Sequence, residues 1–190
     1  GFHPDVPDGD VLIHTGDFTQ GWGRRDQVWD VAKWLGGTHH TYKFLIGGNH
    51  DGSLVKHEEQ CREILGTRGI QYLLHQSAMV GDIRIWGSPY HPQFAGVFGK
   101  TFAELETLWQ QVDPDVDVLI THGPPFGILD TDGERPDHLG DPALREMVSH
   151  WCPMIHAFGH IHGGYGMYRG VLTTFYNVAV CNERYEPVNP

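Results

Sequence analysis

Residues 43–51, Lys-Phe-Leu-Ile-Gly-Gly-Asn-His-Asp, carry an apolar segment into two glycines and then into three side chains that bind cations or move protons. A short apolar run closed by Gly and Asn reads as a buried strand followed by a tight turn. The same arrangement recurs three times. Val11-Leu12-Ile13-His14-Thr15 runs into Gly16-Asp17, Asp117-Val118-Leu119-Ile120 into Thr121-His122-Gly123-Pro124-Pro125, and Ile155-His156-Ala157-Phe158 into Gly159-His160-Ile161-His162-Gly163. In open α/β sheets ligands bind outside the carboxyl ends of the strands, so several parallel strands can each deliver one polar group to a common point. Small residues there let the backbone turn sharply.

Strands are expected over Val11–His14, Lys43–Ile46, Met79–Trp86, Val116–Thr121, Ile155–Phe158 and Leu172–Val180. Met79–Trp86 alternates around Gly81-Asp82 and is compatible with a hairpin in a more antiparallel part. Helical spacing of apolar residues marks Gln27–Leu35, Lys56–Leu65, Thr101–Gln111 and Pro142–Trp151, the last opened by the cap-like pair Asp141-Pro142. Strands alternating with helices argue for an α/β domain with parallel crossover units. At 190 residues the chain suits a single domain over 1–190.

The net charge of −11 disfavours polymeric nucleic acid and anionic membranes as partners. No apolar run approaches the roughly 20 residues that span a bilayer, and no basic-then-apolar leader is present. Cys61, Cys152 and Cys181 have no CxxC spacing, which argues against a disulfide framework or a thiolate zinc site and for a reducing, cytoplasmic setting. Histidine is abundant, at 14 residues. A donor set of carboxylate, amide oxygen and imidazole without thiolate suits Mn, Fe, Zn, Mg or similar divalent ions. Two such ions about 3.5–4 Å apart can clamp a phosphoester, and bound cations would reconcile an acidic protein with an anionic substrate.

Taken in order, Gly16-Asp17, Gly48-Asn49-His50-Asp51, Thr121-His122-Gly123 and Gly159-His160-Ile161-His162 resemble the motif set of calcineurin-like metallophosphoesterases, over about Gly9 to His162. Asp10–Gln20, Ile85–Pro89, Thr121–Asp130, Phe158–Gly166 and Pro187–Pro190 resemble the MPPED-like subfamily more narrowly. The pattern of the protein Ser/Thr phosphatases is absent. The resemblance implies a sandwich of two mixed β-sheets flanked by helices. It also implies phosphodiesterase activity on small phosphodiesters such as cyclic nucleotides, with a hydroxide between two ions as nucleophile. Asp17 is then expected to bridge both ions, Asn49, His122 and His160 to complete the second ion's shell, and His162 to bind the first. His50 is expected to protonate the leaving oxygen or stabilise transition-state charge, with Asp51 orienting it.

The family pattern opens with Asp-x-His at the end of its first strand, and no such motif stands upstream of Asp17. By spacing it falls directly before Gly1. The expectation is therefore a domain lacking its first strand, with one ion held by Asp17, Asn49, His122 and His160 and with weak turnover. The alternatives to an active phosphodiesterase are a catalytically silent metal or nucleotide binder and a His-rich structural metal protein.

Other residues read more plainly. His14 is expected as a satisfied core histidine, His39-His40 as solvated, and Tyr90-His91-Pro92 as a loop or a rim over the substrate pocket. His3 is a weak substitute ligand. Arg24-Arg25 is a solvated helix start or a phosphate contact. Trp22, Trp29, Trp34, Trp109 and Trp151 suit core or helix-face positions. The sequence carries no signal for oligomeric state.

Overall fold

The computed structural model describes residues 3–19, 24–93, 96–132 and 137–189. Trp22 and the ends of two quoted motifs, Gln20 and Pro190, lie outside them. Two sheets face each other. The first contains β1 (Val11–His14), β2 (Tyr42–Leu45) and β3 (Ile70–Tyr72), all parallel, in the order β1-β2-β3. The second contains β4 (Gln76–Val80), β5 (Ile83–Ser88), β8 (Val118–Thr121), β9 (Ile155–Phe158), β10 (Gly166–Arg169) and β11 (Thr174–Asn177). Its order is β10-β11-β9-β8-β5-β4, with β5, β8, β9 and β11 parallel and antiparallel hairpins at both edges. The expected mixture of directions thus holds for the six-stranded sheet, whereas the three-stranded sheet is wholly parallel. A pair of two-residue strands, β6 (His91–Pro92) and β7 (Gly99–Lys100), stands apart.

Side-chain alternation along the strands explains why there are two sheets and three cores. On β1, β2 and β8, Val11, Ile13, Phe44, Val118 and Ile120, with Ile46 just beyond β2, enter the layer between the sheets, where Leu73, Ala78 and Ile85 join them. The residues of opposite parity face helices. Leu12 and Leu45 pack under α1 (Arg25–Gly36), α2 (Gly52–Lys56) and α3 (Glu58–Gly66) through Val28, Val31, Ala32, Leu35, Leu54, Cys61, Ile64 and Leu65. Leu119 packs with Phe158 under α4 (Phe102–Trp109) and α5 (Pro142–Trp151). Fully burying each such aliphatic side chain contributes about 1.5–3 kcal/mol, and a one-residue slip of any central strand would exchange its two faces.

The helix ends follow their local chemistry. Thr101 and Glu104 form a reciprocal capping box on α4. On α5, Asp141 accepts the Ala143 N–H, Pro142 occupies the first turn, and the chain leaves through Cys152 in a left-handed conformation. Met79–Trp86 is the β4–β5 hairpin, turning at Gly81-Asp82. No helix among the described residues is long and apolar enough to cross a membrane.

His156, fully buried on β9, sits 2.8 Å from Thr121 Oγ1, which itself donates to the Gly123 carbonyl. The Thr proton is therefore committed, so His156 donates through Nε2, and its Nδ1 has no hydrogen-bond partner among the described residues. Burial lowers its pKa to about 3. The unfolded chain takes up this proton below about pH 6.5 and the folded one does not, so stability is lost as pH falls from there toward 3. The expected cost from this residue is about 2 kcal/mol between pH 6.5 and 5. Urea titrations of the wild type and His156→Gln at both pH values check it: the variant should lose less stability on acidification, and equal losses would count against the assignment.

Candidate metal centre

The carboxyl ends of both sheets meet at one point. β1 leads through Gly16 into Asp17, and β2 through Gly47-Gly48 into Asn49 and His50; β8 ends at His122 and β9 leads through Gly159 to His160. Asp17 and His160 both adopt left-handed backbone, with φ of 57° and 66°. That conformation costs a residue with a Cβ about 1–2 kcal/mol, and such strain gathers at functional sites.

His122 decides what the point can hold. Its Nδ1 lies 2.9 Å from the Thr15 carbonyl, which can only accept, so Nδ1 carries the proton. In the neutral ring Nε2 then presents a lone pair, 3.1 Å from Asn49 Oδ1 and 3.4 Å from Asp17 Oδ2. Asp17 Oδ1 is already engaged by the His50 N–H at 2.9 Å. A carboxylate oxygen, an amide oxygen and an imidazole nitrogen thus converge as three acceptors, an arrangement that a cation or an added proton would satisfy. His160 completes the group: one ligand atom each from Asp17, His122 and His160 lie within 4.8 Å of one another.

The electrostatics match. Burial opposes ionisation of Asp17, but the His122 charge and hydrogen bond, the His50 N–H and His160 outweigh it and hold the carboxyl well below its usual range. Burial would lower His122, yet Asp17 and the Thr15 carbonyl raise it overall. His160 is lowered well below the ordinary value by burial, then by His122 and His91. Asp17, His122 and His160 would hold a divalent ion in place of the proton that His122 otherwise holds against Asp17.

Backbone compactness sets the spacing. A methyl group on Gly16, at φ 101°, would lie 2.7 Å from the Gly47 backbone, and one on Gly48 would overlap the Asp17 carboxylate and lie 2.6 Å from His122 Cε1. Gly48→Ala is accordingly expected to lower metal affinity at least about tenfold, because the neighbours are ligands and backbone rather than flexible tips. Calorimetric metal titration checks this; an unchanged affinity would mean that the cradle is not as tight as described.

The sequence profile of the calcineurin-like phosphoesterase family matches residues 2–164. The chain belongs to this family. It is 36% identical to human metallophosphoesterase domain-containing protein 1 and to its mouse counterpart, over 97% of this chain. The chain spans 64% of the length of those relatives. A Caenorhabditis elegans UPF0046 protein is 32% identical, covering 97% of this chain and 73% of its own length. Among solved structures, a Thermus thermophilus protein superposes with a TM-score of 0.62 at 10% identity, over 90% of this chain and 76% of its own; that likeness concerns the fold.

Within this calcineurin-like site the structure gathers Asp17, Asn49, His122 and His160. His162 is near enough to His160 to act on its charge but stands outside the three-residue group. Its Nδ1 has no hydrogen-bond partner among the described residues and lies 3.9 Å from Glu183 Oε2. His50 contributes its backbone N–H to Asp17, while its ring points to Tyr185, whose hydroxyl is 3.4 Å from Nε2.

Several expectations are corrected. Asp51 does not orient the His50 ring and makes no cap bond to α2. Its fully buried carboxylate accepts from Gly48 N (2.7 Å), Asp17 N (2.8 Å), Thr19 N (2.9 Å) and Thr19 Oγ1 (2.9 Å), which ties the β1 and β2 turns together. His91 is no rim residue. It is buried, with its ring nitrogens on the Pro92 and Val97 carbonyls, and its ring lies against His160, tilted by 36° with centroids 5.0 Å apart. His40 is buried against the Pro7 carbonyl rather than solvated. His3 bonds Asp30 and stacks on Trp34, so it supplies no ligand. Arg24 pairs with Asp26 and Arg25 with Gln60, both in exposed contacts. His14 accepts the Gly16 N–H as a satisfied histidine should. Trp109 is buried and donates to Asp141, whereas Trp29 is exposed on α1.

Proposed function

We propose that this protein is a metal-dependent phosphoesterase, acting as a phosphodiesterase on small phosphodiesters such as cyclic nucleotides. The observation that carries the reading is the lone pair of His122 Nε2 meeting Asp17 Oδ2 and Asn49 Oδ1 at the mouth of the parallel strands. Asp17, Asn49, His122 and His160 are the residues that would hold a divalent ion (Mn, Fe, Zn or Mg), with Asp17 and His162 offering fewer donors to a second. A divalent ion there supplies charge for a phosphoryl oxygen and lowers the pKa of water.

The chain's own residues do the rest. The Thr15 carbonyl fixes the His122 tautomer. The His50 amide holds one Asp17 oxygen and leaves the other free for a cation. His50 gives a proton from Nε2 to the leaving oxygen. The whole of residues 1–190 is taken as one metallophosphoesterase domain, and its three free cysteines support a reducing cytoplasmic setting.

Hydrolysis of bis(4-nitrophenyl) phosphate with and without Mn²⁺ tests the reading. It predicts turnover that EDTA abolishes and that His50→Ala reduces about 10²–10⁴-fold. Metal-independent turnover, or an unaffected His50 variant, would contradict it. A second reading is favoured by the position of His162 outside the cluster: a binder of one metal ion and nucleotide without turnover. It predicts nucleotide binding by the metal-loaded protein and no product.

A further inference from the structure

Beyond the strand-end motifs, the site has a wall that the strands do not build. The chain after β11 folds into a hairpin. Cys181 bridges Pro187, and the Val188 and Asn189 amides return to the Val180 carbonyl. Its tip is closed from within. Asn182 Oδ1 accepts the Arg184 and Glu186 amides at 2.9 and 3.0 Å, Asn182 Nδ2 donates to Glu186 at 2.8 Å, and the Tyr185 amide donates to the Asn182 carbonyl at 2.9 Å. The tip is tethered to the centre from outside as well, because Glu183 Oε1 accepts the Gly163 N–H at 3.2 Å and Oε2 lies 3.9 Å from His162 Nδ1.

The result of this bracing is the placement of one side chain. Tyr185 has φ of 60°, a left-handed conformation that a tyrosine adopts only where its surroundings impose it. Its ring stands edge-on to His50 and to His162, with centroids 5.7 and 5.6 Å away. Its hydroxyl lies 3.4 Å from His50 Nε2, the atom from which the proposed reaction delivers a proton. With 62% of its surface exposed, the residue contributes little to the core, so packing does not explain its strained placement.

We infer that Tyr185 is a specificity-determining residue of the leaving-group subsite, presenting its ring to an aromatic or heteroaromatic ring carried by the leaving group, whose ester oxygen sits at His50. This rests on the phosphoesterase reading and adds to it the side of the site that recognises the organic part of the ester. An open aromatic ring beside two imidazoles favours a planar partner over an alkyl one through stacking, and a leaving oxygen placed at His50 Nε2 brings the attached ring against Tyr185.

Binding of two unhydrolysable probes separates this role from a structural one. Phenylphosphonate and methylphosphonate share the anionic headgroup and differ only in the ring. Calorimetric titration of the Mn²⁺-loaded protein is expected to show phenylphosphonate bound roughly tenfold more tightly. Tyr185→Ala should abolish that preference while leaving methylphosphonate affinity unchanged, and Tyr185→Phe should retain it. A preference that survives in Tyr185→Ala, or an equal loss for both probes, overturns the assignment while leaving the phosphoesterase reading intact. If neither probe binds the wild type, the anion site itself is absent and the phosphoesterase reading falls together with this one.

Discussion

Asp51→Ala is expected to destabilise the protein by about 3 kcal/mol or more at pH 7 and to lower metal affinity at least about tenfold, although Asp51 touches neither the ion position nor the substrate side. Two effects compete. Burial, and then the Asp17 charge, push the Asp51 carboxyl up to about 7 against the pull of its donors. Because the folded value lies above the unfolded one, ionisation of Asp51 works against the metal-free fold as pH rises from about 4 to 7. Against this stand the four bonds from Gly48, Asp17 and Thr19, which hold the carboxyl in either protonation state and contribute about 0.5–1.5 kcal/mol each. The bonds win, and alanine would also leave their donors buried and unmet. Thr19→Val, which removes one hydroxyl donor and keeps the carboxylate, should cost only about 1 kcal/mol. Urea midpoints rank the two variants; an Asp51→Ala protein as stable as the wild type would show that burial of the carboxylate and repulsion from Asp17 outweigh the four bonds.

His122→Ala carries the largest expected effect on binding. His122 touches Asp17 and Asn49 at once and is itself held by Thr15, so its loss removes a ligand and leaves the two oxygens with no nitrogen between them. Mn²⁺ affinity is expected to fall about 10²-fold or more, since even residues behind the ligands are worth 10–100-fold. Isothermal titration would register this as loss of the binding heat. The fold should survive, because the sheets close through Phe44, Ile46, Ile85 and Ile120 and not through the imidazole.

The convergence of the candidate ligand positions was legible because each motif is local: an apolar strand, a glycine turn, then the polar residue. Asp17, Asn49, His122 and His160 all fall at such ends. What joins them was not local. Asp51 reads as a turn or cap residue in sequence, and its partners Asp17 and Thr19 lie 34 and 32 positions away. His91 looked exposed in a Pro-flanked loop, but its burial follows from His160 and Val97 closing over it. Tyr185 meets His50 across 135 positions, and no periodicity announces a hairpin tip. The missed elements have equally plain causes. β3 is three residues long, and β10 is mostly exposed, so neither shows a sustained apolar pattern. By contrast β1, β9 and α5 were readable over their full lengths, from continuous apolar runs and the Asp141-Pro142 start.

Crystals of the protein grown with Mn²⁺, with diffraction recorded at the manganese absorption edge, test the central claim most directly. A single dominant anomalous peak within bonding distance of Asp17, Asn49, His122 and His160 is the predicted result. Manganese bound elsewhere, or a map without a peak at that junction under saturating metal, would contradict it.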